Sequence, residues 1–179
     1  MAMAEPPSSR MRSFLRRRHS QDEIRSLYRL YGPGLLLYAC SLLGRRHAAE
    51  DVLHQVFMKL LEQRSLPEDP KPYLFRSIRN ASLNVLEAQS KEADLAEIEP
   101  WFEAPQHDKA TEAGLRKELL QLPMEQRQVL VLHIWGGLTF EEIGAVLDIS
   151  SNTAASRYRY GLEKLRTRMR PEDVRYAGK

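Results

Sequence analysis

Apolar side chains recur every three to four residues along most of this chain, and the places where that rhythm lapses divide it. Ile24, Leu27, Tyr28 and Tyr31 form one stripe behind Ser20-Gln21-Asp22-Glu23, where a serine three residues ahead of a glutamate makes a capping box. Gly32-Pro33-Gly34 interrupts the stripe before a second apolar stretch to Leu43, which Gly44 ends. Val52, Leu53, Val56, Phe57, Leu60 and Leu61 then line one face of an amphipathic helix, with Glu50, Asp51, His54, Gln55 and Lys59 on or beside the other. Pro67, Pro70 and Pro72 mark a turn, after which Tyr73, Leu74, Ile78, Ala81 and Val85 continue at helical spacing to about Gln89. Periodicity fails from about Ser90 to Ala110 and resumes with Leu115, Leu119 and Leu122. Pro123 then opens a helix through Val129, Leu132 and Trp135 that stops at Gly136-Gly137. The pattern predicts an all-α chain of two small helical domains, 20–90 and 111–170, joined by a linker at 91–110 and flanked by an arm at 1–19 and a tail at 171–179.

The last stretch carries the sharpest local signals. Thr139 lies three residues before Glu142, so hydroxyl and carboxylate can cap each other's amides while Leu138 staples onto Ile143. Phe140, Ile143 and Leu147 follow at helical spacing up to Asp148-Ile149-Ser150, where Ser150 is positioned to cap a second helix. Two helices joined by so short a turn predict a helix-turn-helix. In its second helix Ala155, Tyr158, Leu162, Leu165 and Met169 share the inward face, leaving Asn152, Thr153, Ser156 and Tyr160 outward, flanked by Arg157 and Arg159. A polar helix flanked by arginines suits a DNA major groove.

Charge sharpens this picture by its distribution. The net charge is only +3, but Arg10, Arg12, Arg16, Arg17 and Arg18 crowd one end and Arg157, Arg159, Lys164, Arg166, Arg168 and Arg170 the other. Between them Glu87, Glu92, Asp94, Glu97, Glu99, Glu103, Asp108 and Glu112 face only Lys91 and Lys109. Basic ends suit a polyanion, whereas an acidic connector is repelled by one, so a uniformly basic DNA coat is excluded. The arginine arm and the connector lack the apolar content to fold alone. Trp101-Phe102 stands out in that connector and either packs on a neighbouring domain or anchors a partner, the first being favoured.

At 179 residues, two small modules are favoured over an enzyme fold. No run approaches the ~18 apolar residues of a membrane span, and the arginine-rich start lacks a secretory signal's apolar core, which predicts a cytoplasmic protein. Cys40, the only cysteine, allows no intrachain disulfide. His47, His54, His107 and His133 have no ligand spacing typical of zinc, and Glu50-Asp51 has no nucleophile beside it; neither a metal, a cofactor nor a catalytic constellation is expected.

Three segments in this order resemble the extracytoplasmic-function group of bacterial RNA polymerase sigma factors. HAAEDVLHQVFMKLLEQ, His47 to Gln63, resembles the family's region 2 pattern through Glu50, Asp51, Gln55 and Phe57. PYLFRSIRNASLNVL, Pro72 to Leu86, is similar to its helix and loop for the minus-ten promoter element, with Arg79-Asn80 at the arginine-asparagine pair. The helix-turn-helix resembles region 4 through Leu122-Pro123, Gln126-Arg127 and Ser156-Arg157. Together they cover nearly everything after Ser20.

The resemblance implies a sigma factor that binds core RNA polymerase and directs promoter recognition, DNA opening and initiation, with catalysis left to the polymerase. Its partners would be the clamp coiled coil and flap of the polymerase, promoter DNA and an anti-sigma factor. Asp51, Gln55 and Lys59 would dock on the polymerase and Phe57 would lie in the core. Asn80 would capture a flipped base, whose edge an amide can both donate to and accept from, with Arg76 and Arg79 on phosphates. Asn152, Thr153, Ser156, Arg157 and Tyr160 would face the minus-thirty-five element, with Arg159, Lys164 and Arg166 on its backbone. Asn84 and Glu87 stand where the family usually has aspartate and arginine, and Ala154-Ala155 where it has valine-lysine. A sigma-like adaptor without promoter activity and a helix-turn-helix regulator are the alternative readings.

Overall fold

The structure is a computed structural model and describes residues 9–63, 66–89 and 109–169, with side chains described from residue 21 in the first half and from 114 in the second. Among the described residues every regular element is a helix: α1 (Ser9–Leu43), α2 (Arg46–Glu62), α3 (Pro70–Gln89), α4 (Lys109–Leu120), α5 (Met124–Ile134), α6 (Phe140–Leu147) and α7 (Ser151–Arg168). The all-α expectation holds. The acidic residues from 90 to 108, with Trp101-Phe102, and the tail from 170 lie outside the described residues.

The largest departure from the sequence pattern is α1. Its backbone is helical from Ser9, so Ser20 is not a helix start, and it runs through Gly32-Pro33-Gly34 without a break. An internal proline removes one backbone hydrogen bond and costs about 3 kcal/mol. Beyond it, however, Leu35, Tyr38, Ala39, Cys40, Leu42 and Leu43 are all buried, each large side chain contributing roughly 1.5–3 kcal/mol by leaving water. Burial on both sides of the proline therefore outweighs the local preference to stop. Gly44 does end the helix as expected, at φ 70° with its amide donating to the Cys40 carbonyl.

α1, α2 and α3 form the first unit. Leu35, Tyr38 and Ala39 meet Val52, Leu53, Val56, Phe57 and Leu60 of α2 and Leu74, Phe75 and Ile78 of α3 in one apolar core. Tyr28 adds an edge-on contact to the Phe57 ring at 5.0 Å. Phe57 is thus a core residue. Burial raises the pKa of the Cys40 thiol to about 12, more than the nearby Arg46 lowers it, which makes this lone cysteine chemically quiet.

α4 to α7 form the second unit, in which Leu119, Leu122, Leu130 and Leu165 make a small cluster under Leu115 and Leu162. α7 lies so close on α5 that a Cβ at Gly161 would stand 3.0 Å from Leu130 Cδ1 and 3.2 Å from Gln126 Cβ. That approach sets the helix's rotation: Ala154, Gly161 and Leu165 are buried, while Ala155 is only half-buried. Of the expected inward face, Leu165 is buried and Tyr158, Leu162 and Met169 pack against the core, while Ala154 takes the buried place expected of Ala155.

The two units are not separate bodies. α1 packs on α5 and α3 on α6, and the main core continues from Leu35 and Phe75 into Val129, Val131 and Leu132. Gly34 lets the chains close up: a Cβ there would lie 3.1 Å from the Trp135 carbonyl oxygen and 3.8 Å from Gly136 Cα. At the centre of this seam the buried Tyr38 hydroxyl donates to Gln128 Oε1 at 2.8 Å. At its edge Lys71 Nζ donates to the Gly137 carbonyl, and Arg76 Nη2 to both Asp148 carboxylate oxygens at 2.9 and 3.2 Å.

Candidate nucleic-acid interface

The helix-turn-helix is built by its caps. At the start of α6 the Glu142 amide donates to Thr139 Oγ1 at 3.2 Å while the Thr139 amide donates to the Glu142 carboxylate at 2.6 Å, the reciprocal box read from the sequence. Leu138 and Ile143, the staple pair, are both fully buried. At the end of α6 Asp148 adopts φ 56°, and the Ile149 amide returns to the Gly144 carbonyl at 3.0 Å. Only a residue without a side chain fits at 144, because a Cβ would stand 2.7 Å from the Ile149 carbonyl oxygen. Ser150 then caps α7 by accepting from the Thr153 amide at 3.1 Å.

This turn presents α7 to solvent along one side. Asn152, Arg159, Tyr160 and Lys164 are exposed, and Thr153, Ser156 and Arg157 half-buried. Thr153 also shares a hydroxyl hydrogen bond with Ser150 at 2.8 Å, and the Arg159 guanidinium lies 5.4 Å from the centre of the Tyr160 ring. Tyr160, 52% exposed, is held against a cation and faces outward as expected. Behind the helix His133 stacks on Phe140 at 4.6 Å and meets Tyr158 edge-on at 4.8 Å, with its Nδ1 2.8 Å from the Leu138 carbonyl oxygen. This aromatic packing accounts for His133 without a metal. Among the described residues no three His, Cys, Asp or Glu side chains are grouped to hold one.

Glu142 has a second task. Burial alone would raise its pKa, but the Thr139 amide and Lys71, 3.5 Å away, together hold the carboxyl below its usual range. A carboxyl whose folded pKa is depressed stabilises the fold above its unfolded value, and that stability is lost as pH falls through the folded value. Acidification below about pH 4.3 is therefore expected to loosen the start of α6. In thermal melts followed by circular dichroism, Glu142→Gln should lose part of that acid sensitivity, and a variant as acid-sensitive as the parent would contradict the assignment.

The first unit offers a second polar surface. A groove of about 470 Å³ between α2 and α3 is lined by Gln55, Lys59, Gln63, Tyr73, Ser77, Asn80 and Asn84 over a floor of Val56, Ala81 and Val85. Gln63 Nε2 donates to the Tyr73 hydroxyl at 2.6 Å and closes one side. Gln55, Lys59 and Asn80, assigned to different partners in the sequence, thus share one groove. Asp51 is exposed about one turn before Gln55 and lies outside the groove's lining. Gln63, Tyr73 and Ser77 went unassigned although Tyr73, Ser77, Asn80 and Asn84 fall on one stripe of α3, a signal visible in helical spacing alone.

Arg76 and Arg79 diverge. Arg76 is half-exposed and holds Asp148 of the second unit. Arg79 is half-buried, with its Nε buried without a hydrogen-bond partner, and its charge partly lowers the Tyr38 pKa that burial raises strongly. Glu50 is likewise engaged at home, accepting from Arg46 Nε at 2.8 Å.

Residues 27–92 match the sigma-70 region 2 family, and residues 119–167 match sigma-70 region 4. The RNA polymerase sigma factor CarQ of Myxococcus xanthus is 30% identical over 82% of this chain and 89% of its own length. The ECF RNA polymerase sigma factor SigE of Mycolicibacterium smegmatis is 31% identical over 78% of this chain. The chain belongs to the extracytoplasmic-function (ECF) group of the sigma-70 family. The match spans only 59% of SigE, and 83% of SigM, an ECF sigma factor of Bacillus subtilis that is 24% identical over 71% of this chain. In fold the chain is similar to the sigma factor RpoE solved in complex with the anti-sigma factor NepR from Bartonella quintana, with a TM-score of 0.71, 22% identity, and coverage of 82% of this chain and 96% of that one. The α1–α3 unit is accordingly region 2 and the helix-turn-helix unit region 4. Among the described residues no helix is long and apolar enough to cross a membrane.

Proposed function

We propose that this ECF sigma factor binds core RNA polymerase in the cytoplasm and directs it to promoters, with region 2 opening the minus-ten element and region 4 reading the minus-thirty-five element. The observation that carries the proposal is the pairing, in one chain, of matched regions 2 and 4 whose polar surfaces on α2, α3 and α7 face solvent. A helix-turn-helix regulator would have no use for the first unit. Bond making stays with the polymerase, and the chain supplies recognition.

In region 4, Asn152, Thr153, Ser156, Arg157 and Tyr160 face the bases while Arg159, Lys164 and Arg166 neutralise phosphates. In region 2 the groove has the size of small-molecule clefts, ~300–1,000 Å³, and so has room for an extruded base, with Asn80 on its edge. Asp51 docks on the polymerase clamp; Gln55 and Lys59, on the groove wall, join that contact at its boundary with DNA. The region 4 unit would sit on the flap. An anti-sigma factor, the partner of the similarly folded Bartonella protein, is the antagonist expected for this one.

The test is transcription from fragmented DNA of the source organism by core polymerase with and without the purified chain, read by sequencing transcript starts. New discrete starts sharing two spaced upstream elements are expected. Core binding without such starts would favour an adaptor, and no core binding would return the chain to the regulators. In the same assay Arg157→Ala should lower initiation about 5- to 150-fold, as loss of a base contact worth about 1–3 kcal/mol implies, with core affinity kept. Asp51→Lys should weaken core affinity itself. Equal loss of core affinity in both variants would overturn the division of roles.

A further inference from the structure

Arg10, Arg12, Arg16, Arg17 and Arg18 crowd the start of the chain, and no aspartate or glutamate lies between Ser9 and His19. The first carboxylate to follow, Asp22, already faces Arg25 at 3.7 Å. The region 2 match begins only at residue 27, so these arginines stand outside the matched family. Their backbone is nonetheless helical, because α1 starts at Ser9. The helix gathers the five charges into ~12 Å of its axis, where an extended arm would spread them over ~26 Å. A DNA duplex carries about one phosphate per 1.7 Å, roughly seven in the same ~12 Å, so the helix brings the charge density of this segment close to that of duplex DNA. Arg12 and Arg16 are also four residues apart, a like-charge spacing that destabilises a helix and that a polyanion relieves.

We propose that the arginine-rich first turns of α1 bind the phosphates of the duplex that adjoins the minus-ten element, steadying the double helix from which the region 2 groove draws its base. The proposal rests on the promoter role given to that groove above. α1 and α2 are joined at Gly44 and Arg45, and Tyr28 meets Phe57, so the two helices run antiparallel. α2 ends five residues beyond Phe57, whereas α1 continues nineteen residues before Tyr28, which carries it ~21 Å past the end of α2. Gln63, the residue that caps that end of α2, is the one that donates to Tyr73 and closes the groove. The arginines therefore leave region 2 from the end of α2 that closes the groove. DNA that gives up a base there continues as duplex within reach of an element ~21 Å long, about six base pairs at ~3.4 Å per step. Contacts to phosphates carry no sequence information, so the segment adds affinity at every promoter and selects none.

The test measures binding of the full chain to a labelled duplex of arbitrary sequence by fluorescence anisotropy across a range of salt. Arg10→Gln, Arg12→Gln, Arg16→Gln, Arg17→Gln and Arg18→Gln together keep helix propensity and remove the charge. With one phosphate met by each arginine, the slope of log affinity against log salt should fall by about 4 to 5, so that doubling the salt costs the parent about twentyfold more affinity than the variant. Lysine at the same five positions should keep the parental slope, because charge alone is required. An unchanged slope in the glutamine variant, or a lysine variant that behaves like it, would overturn the phosphate contact. Polymerase carrying the chain then locates the contact: the difference between parent and glutamine variant should appear on promoter DNA with duplex beside the minus-ten element and vanish on DNA trimmed to that element. A difference that survives trimming would overturn the placement. Met11, Phe14 and Leu15 lie among the arginines in sequence, so vesicles of phosphatidylglycerol are the rival partner. Vesicle binding lost in the glutamine variant, beside an unchanged DNA slope, would assign the segment to a membrane surface instead. Failure of the chain to start transcription with core polymerase would remove the promoter role, while the free-chain slope would still decide the duplex contact.

Discussion

Replacing Gly144 by valine is expected to disrupt the helix-turn-helix and abolish recognition of the minus-thirty-five element. A Cβ at this buried position would stand 2.7 Å from the Ile149 carbonyl oxygen and 3.5 Å from the Ser151 amide nitrogen. Both are backbone atoms of the turn, so no side-chain rotation relieves the clash. The Ile149 amide is also tied back to the Gly144 carbonyl at 3.0 Å, which prevents the turn from drifting away. Overpacking a tight site costs about 1–3 kcal/mol and more where backbone must move, a large share of the roughly 5–15 kcal/mol that holds a domain. Ala145→Val is the control, because the next residue is exposed on the same short helix. A calorimetric scan should show Gly144→Val losing part of its transition enthalpy and Ala145→Val melting like the parent. If the two variants melt alike, the close approach at Gly144 is not what sets the angle of the helix-turn-helix.

The two helix starts around that turn were legible in the sequence because the devices that fix them are local, whereas the close approach at Gly144 was not read there. Thr139 with Glu142, Leu138 with Ile143 and Ser150 with the Thr153 amide each act within five residues, so spacing alone finds them. The amphipathic stripe of α2 was legible for the same reason. Long-range pairs were not. Tyr38 and Gln128 are ninety residues apart in sequence, and nothing in either helix's periodicity announces their hydrogen bond. Local rules also misled where burial overrode them. The Gly32-Pro33-Gly34 segment reads as a break, yet it lies inside α1 because the apolar residues beyond it must reach a core and because Gly34 makes room for Trp135.

For the surface of region 2, the sequence named Asn80, and the structure adds what surrounds it. Asn80→Ala is expected to leave formation of the closed promoter complex intact and to slow strand opening about ten- to a hundredfold. The reasoning starts from the groove. Its wall carries the amides of Gln55, Gln63, Asn80 and Asn84, the hydroxyl of Ser77 and the phenol of Tyr73, a set that donates and accepts but holds no carboxylate. An extruded base loses stacking worth a few kcal/mol and must regain it from edge hydrogen bonds and contact with the apolar floor. One well-formed pair of base-edge hydrogen bonds is worth about 1–3 kcal/mol, which sets the expected slowing. Because the base leaves the duplex only as opening begins, the loss falls on the opening step and spares the initial docking of region 4. A fluorescent base analogue in the minus-ten element separates the two, its intensity reporting unstacking while a filter or gel assay reports total binding. Asn84→Ala, one turn along the same stripe, should slow opening to a smaller extent if the base lies lengthwise in the groove. Unchanged opening in Asn80→Ala, with binding also unchanged, would take the groove out of the melting step and leave region 2 a docking unit alone.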